Sequence, residues 1–529
     1  MERPETVYSR FTSTARRWPG RTFVTLLPET ASIYGETPGD WSYGTVLDEV
    51  DRLANAYRAA GYGPGHRIGL LLENRPVFLM HWLALNSLGA GIVPINPDLR
   101  RAELEYLTNH SEMVSACSIP ARAQDLTNAA PGLRVFAPDN DPPGVDGAGA
   151  PVDDPECALL YTSGTTGRPK GCVLTNAYFL YCGDWYAGVG GYLTIREDPQ
   201  ERMLTPLPLF HMNALACSVM AMITVGGAIT ILDRFHPSTW WDSVRTSRAT
   251  CLHYLGIMPP LLVGQPPSPT ERDHAVRFGF GAGVDPALHA TCEARFGFPF
   301  VEGWAMTETG SGGVIMATHD PRPVGMGSFG RPRGGVEARI VTEDGRDAAA
   351  EEPGELLVRR SGPNPRRYFF REYLKDPEAT AEAWRDGWLH TGDIVLRTPD
   401  GDFRFIDRKK NVIRRSGENI SAAEVESVLG LTTGIEAIAC TPVADEMRGE
   451  EVCALVVADE RGRDAAEALV RHALNEMAYF KAPGWVAFVD EIPKTATNKL
   501  QRGTIRKLAD ELVASGRAFD CRALKKRIQ

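Results

Sequence analysis

Residues 161–171 read YTSGTTGRPKG: three Gly, three Thr, one Ser and one Lys within eleven residues, directly after the apolar run 157–160. Such a string cannot build a core. It can approach a ligand closely, because Gly removes the side chain that would block the backbone. Its amides and hydroxyls suit phosphate oxygens, and Lys170 adds positive charge. The spacing excludes two familiar phosphate loops. A Walker A loop needs Gly followed by Lys five and six residues after its first Gly. Gly164 plus five is Pro169. A dinucleotide fingerprint would need a third small residue after Gly279 and Gly281, where Val284 stands.

The chain has 529 residues, too many for one compact core, so two or more domains are expected. A formal net charge of -10 argues against general nucleic-acid binding, which needs a basic footprint. The ten cysteines occur singly with no CxxC pair, which indicates neither zinc nor a redox motif; they read as reduced core residues of a cytoplasmic protein. The N-terminal residues carry no apolar signal-peptide core. Residues 214–232 are uncharged and long enough for a membrane span, but Gly226-Gly227 divides them. The reading is a helix end, a turn and a buried strand.

From residue 40 to about 120 helical and strand-like patterns alternate, the rhythm of a parallel sheet covered by helices. Residues 139–154 and 265–273 read as surface loops. From 335 to 407 short β-like runs are separated by turns, which predicts a smaller β unit. After about 410 helix and strand alternate again. The charged stretch Asp407-Arg408-Lys409-Lys410 sits at this change of texture, where a domain boundary is expected. The fold class expected is α/β: a large N-terminal domain (1–408) with mixed and parallel sheets plus the small β unit, then a small, mobile α+β C-terminal domain (409–529).

The opening string resembles the phosphate-loop signature of the adenylate-forming (ANL) superfamily, and further signatures follow in that family's order. They are Pro208-Leu-Phe-His-Met212, Gly281-Ala-Gly283, Gly303-Trp-Ala-Met-Thr-Glu308, Gly354-Glu-Leu356, Thr391-Gly-Asp393, Asp407-Arg408, Gly417-Glu-Asn-Ile420 and Pro493-Lys-Thr-Ala-Thr-Asn-Lys499. The resemblance runs from about residue 40 to 505. It is nearest the acyl-CoA synthetase branch, including carnitine/crotonobetaine-type ligases.

The resemblance implies a carboxylic acid, ATP and coenzyme A as substrates, with Mg²⁺ as cofactor. Thr162, Ser163, Gly164, Thr165, Thr166, Gly167 and Lys170 would cradle the β- and γ-phosphates. Thr307 would bond the α-phosphate, and Glu308 with Thr166 would hold Mg²⁺, a hard cation suited to oxygen ligands. Glu308 could instead be a helix-capping partner of Thr307. Gly281, Ala282 and Gly283 would run along the adenine, with Gly303, Trp304 and Ala305 opposite. Asp393 would accept from the ribose hydroxyls, Arg408 would reach the ribose or phosphates, and Lys499 would bridge carboxylate and nucleotide. His211 would stand between acyl pocket and CoA channel. Lys410 would be the pivot of a domain rotation, after which Gly417 faces the thiol channel, with Arg414 and Arg415 as candidates for the CoA phosphates. Lys481 would support the second domain.

Three positions depart from the family pattern. Trp304-Ala305 stands where the family has Tyr-Gly, and Asn498 precedes the lysine in place of Gly. Adenylation is therefore expected, with an altered acyl pocket. The acceptor is CoA or a carrier-protein phosphopantetheine or another nucleophile. The acid is open among aliphatic, aryl and polycyclic classes, and the assembly is a monomer or homodimer.

Overall fold

The computed structural model describes residues 5–162, 168–318, 320–408, 412–430, 432–494 and 500–525. Two sheets carry the first part of the chain. In the first, the parallel strands Phe300–Trp304, Phe278–Gly281, Cys251–His253, Arg202–Thr205, Ala228–Ile231 and Thr22–Leu26 lie side by side in that order. In the second, Glu156–Thr162, Gly91–Pro94, Arg67–Leu71 and Ser115–Ser118 are parallel neighbours, and Lys170–Thr175 closes a hairpin onto Glu156–Thr162. These strands read as continuous apolar runs because helices cover both their faces. The rhythm read from residues 40 to 120 is the β-α-β passage Arg67–Leu71, Pro76–Ser87, Gly91–Pro94.

Residues 214–232 form no membrane span. A π-turn over Asn213–Ser218 runs into the helix Val219–Val225, Gly226 ends it at φ 66°, and Ala228–Ile231 is a buried strand. Gly226 is required there by its left-handed backbone. No helix among the described residues is long and apolar enough to cross a membrane. All ten cysteines are buried free thiols.

The β unit read from 335 begins earlier, since Ser328–Gly330 pairs with Phe403–Arg408 at the edge of that sheet. It also carries a helix, Pro377–Ala383, started by the Asp376 carboxylate accepting from the Ala379 amide at 2.9 Å. The 265–273 loop contains the 3₁₀ turn Pro269–Arg272, where Pro fixes φ and the Ser268 hydroxyl accepts from the Thr270 amide.

Residues 412–521 build a fourth sheet with its own core. Its buried strand Gly449–Ala458 carries Glu451, fully enclosed, between Arg415 and Lys525. The Arg415 Nε lies 2.8 Å from Glu451 Oε2, and Lys525 Nζ 2.5 Å from Oε1. One carboxylate thus holds Arg415 from a hairpin and Lys525, whose pKa burial lowers to about 7. Removing it strands the Arg415 guanidinium and takes away the partner that keeps Lys525 charged, so Glu451→Ala should cost roughly 3–5 kcal/mol. Denaturant unfolding followed through Trp485 in this sheet would measure it, and a loss under about 1 kcal/mol would show that the cluster does not hold the sheet.

Candidate active site

A cavity of about 1680 Å³ opens between the two N-terminal sheets, the β unit and the fourth sheet. At one end Thr162 closes the strand Glu156–Thr162 and Lys170 begins its hairpin partner, so the strand pair presents the two ends of the Ser/Thr/Gly loop to the cavity. Ser163, Gly164, Thr165, Thr166 and Gly167 between them lie outside the described residues, as do Lys410 and Lys499. Lys170 Nζ is 4.9 Å above the Tyr373 ring and 3.8 Å from Asp376.

Thr307 and Glu308 follow the strand Phe300–Trp304 on a turn. Tyr178 donates its hydroxyl to the Thr307 carbonyl at 2.9 Å, and Tyr373 donates to Glu308 Oε1 at 2.7 Å. The Glu308 side chain is buried and held by its neighbours at the cavity wall. Gly281, Ala282 and Gly283 form another stretch of wall. Glu302 accepts from the amides of Gly283 at 2.8 Å and Val284 at 3.0 Å, and from the Tyr254 hydroxyl. A Cβ at Gly281 would strike the Tyr254 carbonyl, so Gly is needed for this approach. Burial pushes the Glu302 carboxyl above its ordinary value, against the pull of these three donors.

Trp304 and Ala305 also line the cavity. The indole Nε1 of Trp304 donates to Asp393 Oδ2 at 2.8 Å, tying the first sheet to the β unit. Asp393 is buried just behind the wall formed by Thr391 and Gly392. The backbone of Arg408 pairs across from Asp393, bringing both motif residues to one point of the β unit. Gly303 is constrained: a Cβ there would lie 2.7 Å from the Phe280 ring.

At the other end of the cavity His211 lies 3.4 Å from Glu418 of the fourth sheet. Gly417 is seated against Leu255, where a Cβ would collide, at φ 90°. The Gly417 loop therefore faces the cavity beside His211. Arg415, read from the sequence as a phosphate ligand, is instead turned inward and held by Glu451. Strand alternation explains the difference: neighbouring Arg414 is exposed, its guanidinium 4.8 Å from the Phe405 ring, and Arg415 faces the core.

Lys481 is buried, with Nζ 2.5 Å from Glu103 and 2.7 Å from Glu424. Glu103 belongs to the helix Arg101–Ser111 of the first part of the chain and also accepts from the Ala478 amide at 2.7 Å. Burial opposes the lysine's charge, but the two carboxylates outweigh it and raise its pKa. Glu103 was not legible in the sequence, because its partners stand nearly four hundred residues later. Trp304 as a donor to Asp393, and Glu302 as the anchor of the Gly283 amide, were likewise missed; only the unusual Trp gave any signal.

The chain is similar over most of its length to known proteins. One match at 31% identity over 512 residues, 90% of this chain and 96% of the relative, is a crotonobetaine/carnitine–CoA ligase of Citrobacter koseri. The solved o-succinylbenzoate CoA synthetase of Bacillus subtilis is 22% identical as a double mutant bound to its product analogue OSB-NCoA, with a TM-score of 0.81 over 95% of this chain and 98% of that one. The same enzyme with its acyl-adenylate intermediate superposes less closely, at 0.66 and 23% identity over the same shares. An amide bond synthetase from Marinactinospora thermotolerans, 23% identical, reaches 0.80 over 95% of this chain and 99% of that one. The AMP-binding enzyme family matches residues 11–369 and the AMP-binding enzyme C-terminal domain matches residues 424–499, so this chain belongs to the AMP-binding, adenylate-forming enzymes.

Proposed function

We propose that the chain is an ATP-dependent carboxylic acid–CoA ligase that works by two half-reactions on the cavity just described. The carboxylate oxygen attacks the α-phosphorus of ATP, the bond to the β-phosphate breaks, and pyrophosphate leaves. The CoA thiol, having lost its proton to solvent, then attacks the acyl carbon, and AMP leaves with the electron pair of the broken acyl–oxygen bond. Holding two anions together in the first step requires positive charge and fixed donors at their meeting point.

The observation that carries this reading is the Gly417 loop seated beside His211 and Leu255 at the cavity mouth. A loop of the C-terminal sheet at that place lines a path for a thiol toward the acyl group. The closer likeness to the product-analogue form of the Bacillus enzyme than to its acyl-adenylate form supports the same assignment.

Roles follow for individual residues. Thr162 and Lys170, with Ser163, Gly164, Thr165, Thr166 and Gly167 between them, take the leaving phosphates. Thr307 bonds the α-phosphate. Gly281, Ala282, Gly283 and Trp304 border the base, and Asp393 with Arg408 takes the ribose. The buried Glu308 carboxylate, oriented by Tyr373, fits a divalent cation, and Glu308 with Thr166 would hold Mg²⁺. Such an ion would neutralise phosphate charge when bound. Lys499 acts in the first half-reaction only. The boundary falls after residue 408, with Lys410 as pivot, and rotation about it exchanges Lys499 for the Gly417 loop. CoA is the acceptor; a carrier-protein phosphopantetheine, or an amine, is the competing outcome of the assay below.

Incubation with MgATP, a panel of carboxylic acids and CoA should release pyrophosphate and AMP and yield acyl-CoA by mass. Acyl-AMP that accumulates unchanged by CoA would remove CoA as acceptor. Lys499→Ala should slow acyl-AMP formation about 10²–10³-fold, the scale of losing one transition-state donor, yet still convert added acyl-AMP to acyl-CoA. Glu103→Gln should do the reverse. It weakens the buried contact that holds the C-terminal sheet in its present place, so single-turnover thioester formation should fall roughly tenfold with acyl-AMP formation unaltered.

A further inference from the structure

The acyl end of the cavity is built differently from the nucleotide end. Trp185, on the helix Asn176–Gly188, and Phe280, at the end of a central strand, face it with ring centroids 6.0 Å apart and planes at 40°. Met212, Cys217 and Val314 complete the surface, each buried apart from a small exposure. The polar groups there are neutral: Ser311, whose hydroxyl lies 3.8 Å from the Cys217 thiol, and Asn213.

The rings directly behind Phe280 are neutral, and beyond them, beside Cys251, Arg277 and the buried Glu201 compensate each other. His253 is fully buried, 5.6 Å from Phe280 and stacked on Tyr186 at 5.5 Å. Its Nδ1 lies 2.7 Å from both Ser218 and Asn213, and its Nε2 3.0 Å from the Tyr186 hydroxyl. Those partners suit a neutral ring that donates at Nδ1 to Asn213 and accepts at Nε2 from Tyr186. Burial lowers its pKa to about 3, so His253 itself places no cation behind the pocket. The ionisable pair His211 with Glu418 also lines the cavity, at its mouth.

A tail bearing a second carboxylate would be buried against Trp185 and Phe280, where no cation stands among the described residues. A tail bearing an ammonium would find the same aromatic faces, the buried carboxylates Glu302, Glu308 and Asp393 being engaged by Tyr254, Tyr373 and Trp304. Gly303 adds a steric reason for the ring arrangement, since a Cβ there would meet the Phe280 ring at 2.7 Å and force it to shift.

We infer that the acid this enzyme activates carries an uncharged, apolar tail that seats between Trp185 and Phe280. This deepens the ligase reading and rests on it. It also separates the chain from its crotonobetaine/carnitine–CoA ligase relative, whose named substrates carry a charged tail.

Acyl-sulfamoyl adenosines, stable mimics of acyl-AMP, test the inference by binding alone. Calorimetric titration of the full chain would compare four tails: phenylpropanoyl, hexanoyl, 4-(trimethylammonio)butanoyl and succinyl. The phenylpropanoyl and hexanoyl compounds should bind at least about a hundredfold tighter than the two charged ones, the scale on which a site rejects a group it cannot pair. Equal or tighter binding of either charged tail overturns the inference. So does an apolar compound that binds no tighter than AMP. Neither result touches the ligase reading, which fails separately if no acid in the panel gives acyl-CoA. Trp185 is half-exposed, so Trp185→Ala should fold; its melting curve checks this. It should weaken the phenylpropanoyl compound about tenfold and the succinyl compound less than twofold. Equal losses for both would show Trp185 acting only through structure.

Discussion

One buried lysine joins the two parts of this chain. Lys481 reaches from the fourth sheet to Glu103 of the first part and Glu424 of its own, all three largely out of water. A buried pair of this kind adds little net stability over an apolar contact, because desolvation offsets attraction. Its strength is in specificity: the charges are satisfied in one relative placement and stranded in others. Ala478 donating its amide to the same Glu103 fixes that placement further. The Gly417 loop, on the same part of the chain, stands against Leu255 with Glu418 beside His211.

A second cross-connection stands at another part of the cavity wall. Trp304 ends a strand of the first sheet and Asp393 sits within the β unit, and one hydrogen bond links them. The Trp in place of the family's Tyr is therefore more than a substitute aromatic face. It gives the indole N–H a buried acceptor, as a buried Trp needs, and orients a carboxylate that retains acceptor capacity. Glu302 serves the opposite wall, pinning the Gly283 and Val284 amides so that the backbone stays close to the cavity.

Much of this was legible in sequence because the relevant signals are local. The Gly- and Thr-rich string, the Thr391-Gly392-Asp393 motif within the strand Trp388–Arg397 and the strand–helix rhythm each occupy a few consecutive residues and can be read without the rest of the chain. The texture change near 335 was found late by several residues, because Ser328–Gly330 joins its sheet through a strand some seventy residues away. Arg415 was misread because a charge run looks alike on either face of a strand; its burial is set by Glu451 on another strand. Glu103, Lys481 and Glu424 could not be matched as partners, because that pairing exists only after both parts of the chain have folded and met.

Charge presents a last question, since an acidic chain with a net charge of -10 must gather an anionic acid and two anionic cosubstrates. Lys170 indicates how. It is held by contacts that are individually weak, a ring face at 4.9 Å and a half-exposed aspartate at 3.8 Å. Pairs of this exposure are worth about 0–1 kcal/mol. An anion reaching this part of the cavity would meet a lysine whose present contacts oppose its exchange little. The buried pair at Glu451 lies away from the cavity, whereas the buried Lys481 group stands in its wall, and both hold sheets in position. Structure is fixed by charges removed from water, and Lys170 is held loosely beside them.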